Sequence, residues 1–88
     1  MRTVERHPDA VDATVDAELV VMNIQSLDYY RFNPVAKRIW ELVESGPRSE
    51  DSLCHTLLEE YDVEESECRE AVREFLDDSL TRGFLRAV

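Results

Sequence analysis

The hydrophobic positions change their period near residue 33. Before it they alternate or run in short β-branched stretches, and after it they recur at steps of three and four, the shift expected between strands and amphipathic helices. Val11, Ala13 and Val15 alternate with Asp12, Thr14 and Asp16. Leu19–Ile24 is a short β-branched run, and Tyr29-Tyr30-Arg31-Phe32 is aromatic-rich. Gln25-Ser26-Leu27-Asp28 fits a hairpin connection although it has no glycine. These segments predict an antiparallel meander of three strands, preceded by a loose segment over residues 1–9.

The second half predicts three helices. Asn33-Pro34 supplies an N-cap and then a proline at the first helical position, where its missing N–H costs nothing. Val35, Ile39, Leu42 and Val43 make one stripe, with Ala36 and Trp40 beside it, and Ser45-Gly46-Pro47 stops the helix. Ser49 caps the second helix, whose stripe is Leu53, Leu57, Leu58 and Tyr61. The third starts near Asp62–Glu65, either on an Asp62/Glu65 capping box or two residues later. Its stripe is Cys68, Val72, Phe75, Leu76 and Leu80, with Gly83 after its end and Phe84-Leu85 returning to the core. The fold class is α+β: an N-terminal three-stranded antiparallel sheet, then three helices, in a winged helix-turn-helix-like order.

The chain of 88 residues makes one domain with a single modest core. Its net charge of −10 sets it against nucleic acid phosphates and anionic lipid. The predicted third helix alone, from Glu64 to Arg82, carries seven acids against Arg69, Arg73 and Arg82, so a winged-helix DNA-binding regulator is the disfavoured alternative. No apolar run is long enough for a membrane span, and residues 1–9 lack the apolar core of a secretory signal, so the expected location is cytoplasmic. Between Glu41 and Glu67 the net charge is −9, a face suited either to solubility or to docking a more basic enzyme.

Catalytic chemistry is not expected. His55 adjoins Cys54 on a predicted helix, where neighbouring side chains diverge by about 100°, so the two do not form a nucleophile–base pair by adjacency. Cys54, Cys68, His7 and His55 match no zinc spacing, and the cysteines read as reduced, partly buried thiols. With two glycines there is no phosphate loop. The expectation is a protein that is not an enzyme, with no metal and no cofactor.

The register Leu19-Val20-Val21-Met22-Asn23 … Tyr29-Tyr30-Arg31-Phe32-Asn33 … Ala36 … Ile39-Trp40 … Leu42 resembles the PqqD-like family, the recognition element of ribosomally synthesised and post-translationally modified peptide pathways. Leu57, Tyr61-Asp62-Val63, Val72, Phe75-Leu76, Leu80 and Gly83-Phe84-Leu85 extend the likeness over about residues 10–86. The departure is Leu27, where the family usually has glycine. The resemblance implies a peptide chaperone that binds the leader of a precursor peptide by adding it as a strand to the third strand, against the third helix. It would then present the peptide to a processing protease or modifying enzyme, which the acidic 41–67 face would dock. A lasso peptide pathway is favoured, with pyrroloquinoline quinone biosynthesis as the alternative. The expected peptide-binding residues are Asp28, Tyr29, Tyr30, Arg31 and Phe32 on the strand and Arg69, Val72, Arg73 and Leu76 on the helix. Tyr30 and Phe32 share one face and Tyr29 and Arg31 the other; which pair frames the peptide stays open. Arg69 and Arg73 are read either as partners of surface ion pairs or as contacts for acidic side chains of the leader, and Val72 and Leu76 either as core or as groove floor. The open strand edge is also a route to a homodimer.

Overall fold

The computed structural model describes residues 2–88, which form β1 (Thr3–Arg6), β2 (Ala10–Val15), β3 (Glu18–Asn23), β4 (Tyr29–Phe32), α1 (Pro34–Leu42), β5 (Arg48–Ser49), α2 (Glu50–Glu60), α3 (Glu65–Arg82) and β6 (Leu85–Ala87). The predicted meander is present as the antiparallel sheet β2-β3-β4. A second antiparallel sheet, β5-β1-β6, was not predicted. Residues 3–6, expected to be loose, are its central strand: Val4 faces Arg48 on one side and Ala87 on the other, and its side chain is fully buried. Periodicity missed this strand because four residues flanked by charge carry a single core position.

The alternation in β2 is real, but its apolar side faces solvent. Val11 and Val15 are exposed, whereas Asp12 turns inward and accepts a hydrogen bond from Trp40 Nε1 at 2.6 Å. Arg6 stacks over the same indole at 4.1 Å and donates to the Trp40 carbonyl at 2.7 Å. These contacts seat the buried Trp40 while satisfying its one donor. Phe32 joins sheet to helices, meeting Trp40, Phe75 and Phe84 edge-on at centroid distances of 5.9, 5.2 and 6.1 Å.

Helix ends follow local chemistry. Asn33 Oδ1 accepts from Ala36 N at 2.8 Å, with Pro34 opening α1, and Ser49 Oγ caps α2 through Ser52 N at 3.1 Å. The Asp62/Glu65 capping box does not form; Glu64 is the N-cap of α3 and makes no side-chain cap bond. Gly83 ends α3 at φ +77, where a Cβ would lie 2.5 Å from Asn23 Nδ2. Glycine therefore meets two demands here, a left-handed backbone and a close neighbour. The two cysteines are free and buried, and burial pushes the Cys54 thiol up.

A candidate peptide groove between β4 and α3

Among the described residues β4 has one neighbour, β3, and its other edge is open. Asn23 N donates to Asp28 O at 2.9 Å, which makes Asn23–Asp28 a hydrogen-bonded pair, and by alternation Tyr30 and Phe32 also turn their backbone groups to β3. The N–H and C=O groups of Tyr29 and Arg31 therefore point outward along the edge. Side chains split the other way. Phe32 lies in the core, and Tyr30, on the same face, reaches over the groove with 41% of its surface exposed. Tyr29 and Arg31 stand on the outer face, Tyr29 at 63% exposure and Arg31 3.7 Å from Glu18. Tyr30 thus answers which residue of the strand frames the groove.

The groove beside this edge has a volume of about 470 Å³ and is walled by Tyr30, Asn33 and Ala36 on one side and by α3 on the other. The α3 wall consists of Ala71, Glu74, Phe75, Asp78 and Arg82. Val72 and Leu76 are fully buried in the core and form no part of the groove floor. At 3.6 residues per turn, Arg73 lies about 200° around the helix from Ala71, on the opposite flank of α3. Arg69 shares that flank and pairs with Asp51 of α2 at 2.8 Å, while Arg2 pairs with Asp77 there. Arg69 and Arg73 are therefore not groove residues. The spacing of four that singled them out is sound, but it identifies a stripe without fixing its orientation. Once Val72 and Leu76 are placed in the core, the wall facing β4 follows from helix phase.

Arg82 closes one end of the groove. Its guanidinium donates to both oxygens of Asp28 at 2.8 Å, to the Tyr29 carbonyl at 2.9 Å and to Asp78 at 3.4 Å. It stacks on Tyr30 and Phe84 at 4.7 and 5.1 Å. The hydrogen bonds from Arg82 hold the Asp28 carboxyl below its usual value, and Asp28 in turn raises Arg82. One of the outward carbonyls of β4 is thus already occupied. Beyond Ala71 the surface continues into an apolar pocket of about 250 Å³ lined by Val35, Leu57, Tyr61, Val63, Glu67 and Cys68. Among the described residues no group of His, Cys, Asp and Glu side chains is placed to hold a metal ion, and no helix is long and apolar enough to cross a membrane.

Comparison with known proteins accords with this geometry. The solved structure "TbiB1 in Complex with the TbiA(beta) Leader Peptide" superposes with a TM-score of 0.81 at 26% identity, covering 92% of this chain and 93% of that one. A second, "Lasso peptide synthetase B1 complexed with the leader peptide", gives 0.79 at 21% identity over 93% and 95% and shares the fold. A search of curated proteins gave no match. The family profile of the coenzyme PQQ synthesis protein D matches residues 18–85, which hold β3, β4, all three helices and the start of β6. The chain belongs to the PqqD family.

Proposed function

We propose that this chain is a leader-peptide-binding module, not an enzyme. It takes the leader of a ribosomally made precursor as an added strand on β4, against α3, and presents the precursor to a processing or modifying enzyme. The observation that carries this reading is the open β4 edge facing a groove walled by an aromatic strand residue and an amphipathic helix. In strand addition the main chain gives affinity and flanking pockets give specificity. The apolar pocket beyond Ala71 accepts a hydrophobic side chain of the peptide. Support comes from TbiB1, 26% identical, whose structure holds a leader peptide.

A lasso peptide pathway is favoured over pyrroloquinoline quinone biosynthesis, because the sequence follows the general family register more closely than that subgroup's own pattern. Both place the protein in the cytoplasm. Of the acids between 41 and 67, Asp62 and Glu64 are exposed, have no ion-pair partner among the described residues and lie outside the groove lining, and the enzyme is proposed to dock there. A second copy pairing through β4 would compete with the peptide for the same edge.

The test is an amide-shift titration with the N-terminal half of a precursor reading frame encoded beside this gene, repeated on Arg31→Pro. That proline deletes an outward N–H of β4 and leaves the ladder to β3 intact. The expected result is saturable shifts over residues 29–33 and 71–82, with binding weakened about three- to tenfold in the variant, as loss of a ladder bond at the centre of an added strand implies. Shifts confined to other surfaces, or equal binding by Arg31→Pro, would overturn the reading.

A further inference from the structure

The charges that line the groove point to the kind of peptide it holds. On the α3 wall the ionisable side chains are Glu74, Asp78 and Arg82, and Glu67 follows at the apolar pocket. These four positions lie on one flank of the helix, with Ala71 and Phe75 between them. Arg82 offsets only one of the three carboxylates, and weakly, through its 3.4 Å contact with Asp78. Its fork is filled by both oxygens of Asp28, and its plane is held against Tyr30 and Phe84. The other arginines of α3 project from the far flank, Arg69 toward Asp51. Glu67 and Glu74 have no ion-pair partner among the described residues, and Asp78 has only the long contact to Arg82.

We infer that the segment bound in this groove is basic, presenting lysine or arginine to Glu74 and Asp78 while its backbone follows β4. The inference rests on the reading of the groove as a peptide site and adds the charge of the ligand to it. An acidic segment would meet the carboxylates of the α3 wall, whose own cation, Arg82, is already held by Asp28, while Lys37 of α1 lies next to Ala36 without lining the groove; like charges at close range are excluded more strongly than a neutral residue. A basic segment finds two acceptors one helical turn apart, at the rim of an apolar floor where the lysine or arginine stem can lie.

The test uses random peptides displayed on phage and selected at low salt against the full chain, against Glu74→Lys/Asp78→Lys, and against the charge-matched control Glu44→Lys/Glu59→Lys. The control residues are exposed and lie outside the groove, so it separates local charge from the general attraction of an acidic protein for basic peptides. The native chain and the control are expected to enrich lysine and arginine, and the groove variant to enrich aspartate and glutamate instead. A synthetic peptide selected on the native chain should bind the groove variant about three- to tenfold more weakly, the size expected for two exposed ion pairs, and the control within about twofold. The neutral variant Glu74→Gln/Asp78→Asn should fall between, which guards against a folding defect in the reversed one. Selected peptides that shift the Arg31 amide but show the same composition on all three proteins would overturn the inference and leave the groove standing. Failure to select any peptide that shifts the Arg31 amide would overturn the groove reading, and this inference with it.

Discussion

Among the described residues, three other than glycine hold a left-handed backbone: Asp16 at φ +52, Ala17 at +68 and Leu27 at +63. Asp16-Ala17 is the two-residue connection between Val15 and Glu18, and positive φ at both positions marks a type I′ turn. Alanine gains nothing there to offset its Cβ clash. Ala17→Gly is therefore expected to raise stability by about 1 kcal/mol, read from urea unfolding; a decrease would mean the turn is not strained. Leu27 stands where the family resemblance leads one to expect glycine, and it holds the left-handed conformation that glycine adopts readily, with 67% of its surface exposed. What compensates is Asn23. Its Oδ1 accepts from Gln25 N and Ser26 N, its carbonyl accepts from Leu27 N, and its Nδ2 donates to the Gly83 carbonyl. Nothing in the spacing of one asparagine at a strand end shows that it also holds the far end of α3, 60 residues away. Such residues stay hidden in a sequence because their role depends on a distant partner.

At the scale of elements, strong periodicity was legible and short pairing was not. α1 and α2 stand where stripe and caps put them, and α3 where its stripe does, because each repeats its signal over several turns. Two of the three predicted stretches of β signal, Leu19–Ile24 and Tyr29–Phe32, stand as β3 and β4 within a residue at each end. β1, β5 and β6 span two to four residues each and declare themselves only through one another. Val4 and Leu85 are the buried side chains of that small sheet. Val4→Ala is expected to cost about 2 kcal/mol, from two lost methyl groups and the space they leave, and calorimetry of the variant would measure it; a loss below about half that would show β1 to be dispensable. The candidate site divides along the same line. Alternation puts Tyr30 and Phe32 on one face without deciding which face meets the groove, and the α3 residues expected in the groove lie about half a turn of the helix from its wall, because charge spacing marks a stripe without fixing where the core lies.

Across the whole molecule, arginines fasten elements distant in sequence: Arg2 to Glu50, Arg38 to Glu60, Arg69 to Asp51, Arg82 to Asp28 and Arg86 to Glu5. The Asp28 and Glu60 carboxyls are held below their usual values of 3.8 and 4.5, chiefly by hydrogen bonds from Arg82 and Arg38. Stability from a lowered carboxyl is complete above its unfolded value and is lost as pH falls through its folded one. The melting temperature is therefore expected to drop between about pH 5 and about pH 3, and Asp28→Asn should flatten that slope while lowering the neutral-pH value. An unchanged slope in the variant would show the Asp28–Arg82 pair to be uncoupled from folding. The sheet β5-β1-β6 has one further consequence, a mechanical one. Because Val4 lies opposite Ala87 in an antiparallel ladder, the chain enters and leaves the molecule at the same end of that ladder. Tension applied between the two ends would part β1 from β6 one pair at a time, like a zipper, instead of shearing the whole ladder at once.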